Sequence, residues 1–167
     1  MDIVVNDTNI FVDLISVDLL EASFSLPIRF HTVDHVIGEI TNNEQKSKIN
    51  ALIRNGSLFV KGFDDVEFYE IVSMFDGRSN NVSVTDCAVW YYAKKNNYRI
   101  LTGDGKLRRS ATEDGVIVSG ILFITDMLVE CNIIDKAVMA TKLKKLSIIN
   151  KRLPKKLIEE RINKYEQ

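Results

Sequence analysis

Apolar residues in this chain fall into short unbroken runs separated by longer segments of helical period. Asp2-Ile-Val-Val-Asn6 is such a run, bounded by polar residues, and reads as a strand buried on both faces. The next fifteen residues place Ile10, Phe11, Leu14, Ile15, Leu19 and Leu20 at helical spacing, which predicts one continuous helix. Arg29–Val33 predicts a second strand. Asp34 can cap a helix over His35–Thr41, and a further helix runs to Gly56. Ser57–Phe63 predicts a third strand, followed by a helix over Asp65–Phe75 and a loop of turn-formers over 76–82. Ser83 followed by Asp86 has the spacing of a capping box. The helix it opens places Ala88, Val89, Tyr92 and Ala93 on one face and frays at Asn96-Asn97. Tyr98–Thr102 and Val116–Ser119 predict strands four and five. Helices then fit Gly120–Glu130, Asp135–Asn150 and Pro154–Tyr165. Strands alternating with helices predict a doubly wound parallel α/β sheet with right-handed crossovers. Such a sheet places its ligand site beyond the carboxyl ends of the strands, where strand order reverses.

The length of 167 residues suits one domain, and folding at this size buries about 70% of the surface. The N-terminus lacks the basic region of a signal peptide, and the apolar runs are too short to cross a bilayer. These features predict a cytoplasmic protein with no membrane partner, in which Cys87 and Cys131 are reduced and buried. A net charge of −1 hides an asymmetry. Residues 136–167 hold ten Lys/Arg against three Asp/Glu, whereas residues 1–135 hold twelve against twenty. The basic segment is either a solvated helix face or a surface for an anionic partner.

Asp7 directly follows the first strand and Asp104 the fourth, two strands expected to be neighbours across the reversal. Asp86 lies in the first turn of the preceding helix, and Glu39 in the helix after strand two. Each acid taken singly could be a turn-former, a helix cap or a solvated residue. Converging on one crevice, four carboxylates repel one another unless a hard cation, Mg²⁺ or Mn²⁺, joins them. Such an ion activates water and neutralises charge on a phosphodiester. Gly103 and Gly105 around Asp104 suggest a turn needing positive φ or room for close approach. Gly38, beside Glu39, suggests close packing there.

The segments NDTNIF (6–11), HVIGEI (35–40), 83–111 and 116–130 together resemble the PIN-domain nucleases, in particular the small VapC-like proteins. The resemblance spans about residues 2–131 and is most specific in 83–111. It implies a PIN-like (Rossmann-like) parallel sheet of about five strands with helices on both faces. Residues 1–131 would form the nuclease domain, and 132–167 a basic helical extension packed on it. It also implies a metal-dependent endoribonuclease, the toxin of a type II toxin–antitoxin pair. Asp7, Asp86 and Asp104 would hold the metal, with Glu39 as a further ligand or the base for the attacking water. Asn9 and Thr102 would steady the cluster. RNA is the implied substrate, an antitoxin the implied partner, and homodimers are common in the family. Lys144, Lys145, Lys151 and Arg152 are candidate phosphate contacts. Lys106, Arg108 and Arg109 read equally as phosphate contacts or as helix surface. A PIN fold that has lost activity and only binds RNA or protein is the alternative.

Other readings fit less well. Gly103-Asp104-Gly105 matches part of a dehalogenase-type phosphatase motif, but Asn9 and Arg108 stand where that chemistry needs acids. The P-loop spacing is missing. His31 and His35 are four apart, but His31 falls in a strand, which weakens a metal role. Trp90, Tyr91 and Tyr92 could stack on bases, although a helix covering a sheet buries such residues.

Overall fold

The computed structural model describes residues 1–77 and 81–167. Part of the polar loop over 76–82 lies outside the described residues. Five parallel strands form one sheet: β1 (Ile3–Asn6), β2 (Arg29–Val33), β3 (Leu58–Lys61), β4 (Arg99–Leu101) and β5 (Val118–Ser119). Their order is β3-β2-β1-β4-β5. The chain steps outward from β1 to β3, then returns to the other side of β1 for β4 and β5, so the reversal falls between β1 and β4. Val5 pairs in register with both His31 and Ile100. Val4, Val5, Ile100 and Leu101 are wholly buried, which explains why these strands read as unbroken apolar runs.

Helices cover both faces. One carries α6 (Val84–Asn96), which packs against β1, β2 and β4. Its Tyr92 hydroxyl meets His31 Nδ1 at 2.8 Å. Trp90, Tyr91 and Tyr92 are all buried on this helix, so none is presented for base stacking. The opposite face carries α1 (Thr8–Ser16), α2 (Leu20–Ser23) and α8 (Ile121–Glu130). There Phe24 stacks on Phe30 at 4.4 Å and Arg99 lies over the Phe123 ring at 4.5 Å. The remaining connections are α3 (Asp34–Glu39), α4 (Asn43–Arg54), α5 (Asp65–Asp76) and α7 (Gly105–Glu113).

The continuous helix expected after Asp7 is in fact two. Asp18 adopts φ +54°, and Leu19 N–H returns to the Leu14 carbonyl at 2.9 Å while Asp18 N–H meets Ile15 at 3.2 Å. This is a Schellman stop with an aspartate in the left-handed position. It turns Leu19 and Leu20 into the core. β5 is shorter than expected, because Val116 N–H closes back on Ala111 at 2.9 Å after the turn at Gly115 (φ +83°). Cys87 is buried, but Cys131 is exposed just beyond α8. The chain turns out of the core there through Asn132 at φ +56°.

The last two helices, α9 (Lys136–Ile149) and α10 (Lys155–Glu166), pack on each other, and α9 also packs on α1 and α8. Met139, Leu143, Leu146 and Ile158 join the common core. Polar ties reinforce the contact. Asn150 Nδ2 donates to both Asp13 oxygens at 3.1 and 3.0 Å, and Lys142 donates to the Val17 carbonyl at 2.8 Å. Arg161 and Tyr165 both bond Asp126 of α8. Among the described residues no helix is long and apolar enough to cross a membrane.

Candidate active site at the carboxyl ends of β1 and β4

Asp7 is the first residue past β1, and its N–H still bonds the Leu101 carbonyl of β4 at 2.9 Å. This places it at the reversal of strand order. The residue is 4% exposed, and its carboxylate caps α1, with Oδ1 accepting from Thr8 N–H at 2.8 Å. Oδ2 accepts from the Thr102 hydroxyl at 2.8 Å and from Asn9 Nδ2 at 3.4 Å. Burial pushes its pKa up to about 6. The Thr102 and Thr8 bonds oppose that rise, and the charges of Asp86 and Glu39 add to it.

Asp104 caps α7 through Oδ1, which accepts from Lys106 N–H at 2.7 Å and Leu107 N–H at 3.1 Å. Its own N–H donates to Thr102 Oγ1 at 3.0 Å. One hydroxyl therefore links the two aspartates, accepting from Asp104 and donating to Asp7. Asn9 ties the same ends together, because its Oδ1 accepts from Gly103 N–H at 2.8 Å. Neither Gly103 nor Gly105 is among the positive-φ glycines. A Cβ at Gly103 would meet Asn9 at an ordinary 3.5 Å, and one at Gly105 or Gly38 would meet nothing within 4 Å among the described residues. Among the described residues, then, nothing approaches these glycines closely enough to require them; Asp104 is held by its capping bonds.

Asp86 forms the capping box anticipated with Ser83: Oδ2 accepts from Ser83 N–H at 2.9 Å, and Ser83 Oγ accepts from Asp86 N–H at 3.0 Å. Burial raises its pKa, opposed by the bonds to Ser83, and the charges of Asp104 and Glu39 push it higher. Glu39, exposed at the end of α3, accepts from the Thr8 hydroxyl at 2.7 Å. The acids thus feel one another's charge. Among the described residues, however, no three His, Cys, Asp or Glu side chains stand close enough together to hold an ion as they are. The donors are all carboxylate and hydroxyl oxygens, the set a hard divalent cation takes, and Asp7 and Asp86 already register the repulsion it would relieve.

Two residues escaped the sequence reading. Thr8 holds Glu39, and its signal was the hydroxyl directly after Asp7. Asn6 is wholly buried beside Asp7, and neither of its side-chain polar atoms has a hydrogen-bond partner among the described residues; an amide ending an apolar strand was the available sign. His31 and His35 do not converge. The first faces Tyr92, and the second bonds Asp34 at 2.7 Å. Lys106, Arg108 and Arg109 are exposed on α7. In the C-terminal part Lys145, Lys151 and Arg152 are exposed, whereas Lys144 pairs with Glu166. Open grooves beside α5 and α6, lined by Glu70, Tyr91 and Lys95, lie toward the far end of α6 from Asp86.

A family model described as a PIN domain, DUF3368, matches residues 3–167, and the chain belongs to that family. No curated protein matches the sequence. Among solved structures, VapBC2 from Rickettsia felis bound to a DNA fragment from their promoter aligns with a TM-score of 0.51 at 16% identity. The match covers 71% of this chain and 98% of that one. The all-parallel α/β fold is therefore shared with that protein. A PilT N-terminus domain protein from Sulfolobus solfataricus P2 aligns at 0.44 and 12% identity, covering 73% and 89% of the two chains. FitAcB from Neisseria gonorrhoeae aligns at 0.40 and 14%, covering 69% and 95%.

Proposed function

We propose that this PIN-domain protein is an endoribonuclease that depends on Mg²⁺ or Mn²⁺ and serves as the toxin of a type II toxin–antitoxin pair. The observation that carries the reading is the state of Asp7. It is a buried carboxylate at the strand-order reversal, with its pKa near 6, linked through one hydroxyl to Asp104 and sensing Asp86 and Glu39. A fold that only needed a helix cap there could use a serine or an exposed aspartate. Burying a charge among like charges costs stability, and such sites are where function resides.

Asp7, Asp86 and Asp104 would hold the metal, and Glu39 would stand beside it. A bound divalent ion supplies charge neutralisation at the phosphate and a more acidic water. Glu39, exposed and oriented by Thr8, accepts a proton from the attacking water. The water oxygen bonds to phosphorus, and the P–O bond to the leaving oxygen breaks. Thr102 and Asn9 keep Asp7 turned toward the crevice. Lys106, Arg108 and Arg109 border the site, and Lys144, Lys145, Lys151 and Arg152 extend a basic surface for RNA. The presence of all four acids supports an enzyme over an inactive binding module. The partners follow from the same reading: an antitoxin that blocks the crevice and a second copy of the chain.

The test is incubation of end-labelled single-stranded RNA with the purified protein plus Mg²⁺, Mn²⁺ or EDTA. Internal cuts that appear with either metal and vanish with EDTA are expected. Intact RNA under all three conditions overturns the proposal.

A further inference from the structure

Arg108 stands one turn along α7 from Asp104, and its N–H bonds the Asp104 carbonyl at 3.0 Å. Its side chain runs back over the ends of β4 and β5. Nη2 donates to the Thr102 carbonyl at 3.3 Å, and Nη1 lies 3.5 Å from the Val118 carbonyl. A guanidinium bound to an anion makes contacts of about 2.7–2.9 Å. These two long contacts hold the group in place without satisfying it. The ion pairs found among the described residues do not include Arg108.

Gly120 explains how the guanidinium fits. A Cβ at that position would stand 3.0 Å from Arg108 Nη2 and 3.7 Å from the Thr102 carbonyl. Its φ of −105° is open to any residue, so the backbone does not call for glycine there. Gly120 is also the N-cap of α8 and gives that helix no side-chain cap bond, which Ser or Asp would supply. The position forgoes a cap and keeps room for a guanidinium. Lys106 and Arg109, on the same helix, have no side-chain hydrogen bond among the described residues.

Thr102 connects this arm to the acids. Its carbonyl receives Arg108 while its hydroxyl bridges Asp7 and Asp104. A planar cation with no ion pair among the described residues is thus tied through Thr102 to the carboxylates, on their β5 side. We propose that Arg108 is a substrate-contacting residue: its fork takes the phosphate next to the one at the acid centre, and Gly120 is the positioning residue that seats it. The fork matches two phosphate oxygens, which an ammonium cannot do. The inference rests on the nuclease reading for what lies at the acid centre, but its test reads binding.

The experiment measures anisotropy of a fluorescein-labelled single-stranded RNA decamer with the full-length Asp7→Asn protein, from low to high salt. Arg108→Ala in that background should weaken binding about tenfold and lower the salt slope by about 0.7. Arg108→Lys and Gly120→Ala should keep the slope yet lose affinity, because each retains the charge and disturbs the fork or its seat. Arg109→Ala should have the smaller effect of an unseated surface charge. An unchanged slope in Arg108→Ala, a Gly120→Ala protein that binds like its parent, or equal losses at Arg108 and Arg109 would each overturn the proposal. If the Asp7→Asn protein still cuts RNA, the reading of the acid centre falls instead. The Arg108 comparison then proceeds in EDTA and is decided by the same outcomes.

Discussion

Asp7 binds its proton more tightly in the folded chain than in the unfolded one, with a pKa of about 6 against 3.8. The folded state therefore holds more protons between those values, and stability falls as pH rises through that window. The shift corresponds to roughly 3 kcal/mol once pH exceeds 6. Asp86 shifts in the same direction. Urea unfolding in EDTA should thus show a protein less stable at pH 7 than at pH 5. Asp7→Asn should remove most of that loss and be the more stable protein at pH 7. An undiminished pH dependence in Asp7→Asn would show that Asp7 is not the strained group. Asn6 offers a second residue-scale test. Its amide is buried without a partner among the described residues, a state that costs about 1–3 kcal/mol, so Asn6→Leu should raise the midpoint of urea unfolding. A lowered midpoint would mean that the amide is paired in solution.

Among the elements, the break between α1 and α2 depends on one residue in the left-handed region. Asp18→Gly should stabilise or leave stability unchanged, whereas Asp18→Val should cost about 1–2 kcal/mol in thermal or urea unfolding. Equal stability of the two variants would argue against the Schellman stop. This break was hidden in the sequence, because Leu19 and Leu20 keep the helical period of Ile10 and Leu14. The period records which residues are buried, not where the chain reverses to bury them. β1 and β4 were legible because strands buried on both faces are written as short apolar runs. The expected adjacency of β1 and β4 followed from the doubly wound order. The capping box at Ser83 and Asp86 was legible for a different reason: its bonds lie within four residues. Thr8 with Glu39, and Arg108 with Gly120, link distant parts of the chain, and spacing along a single sequence carries no trace of such pairs. Gly103 and Gly105 flank Asp104 in the sequence, yet it is at Gly120 that a Cβ would meet a tight contact.

At the scale of the whole molecule, charge is divided between an acidic body and a basic C-terminal segment. Packing consumes part of that basicity. Lys142 is tied to α1, Lys144 to Glu166 and Arg161 to Asp126. Lys145, Lys151 and Arg152 remain exposed. Reversing these three charges should weaken RNA binding and flatten its salt dependence, while Lys144→Glu alone should change it less. Binding that is equally salt-dependent in the triple variant would return this surface to a solvated helix face. The Asp13–Asn150 clamp and the shared core join α9 to α1 and α8, and α10 packs on α9, so the basic surface is carried on the same core as the acid site.

On the proposed reading, the acids at the ends of β1 and β4 perform metal-dependent RNA hydrolysis. The most direct measurement compares cleavage of one labelled RNA in Mn²⁺ by the wild-type, Asp7→Asn and Asp104→Asn proteins, each shown to be folded. Cleavage by the wild type and a loss of at least about a hundredfold in both variants are expected. Equal cleavage by all three would contradict that reading.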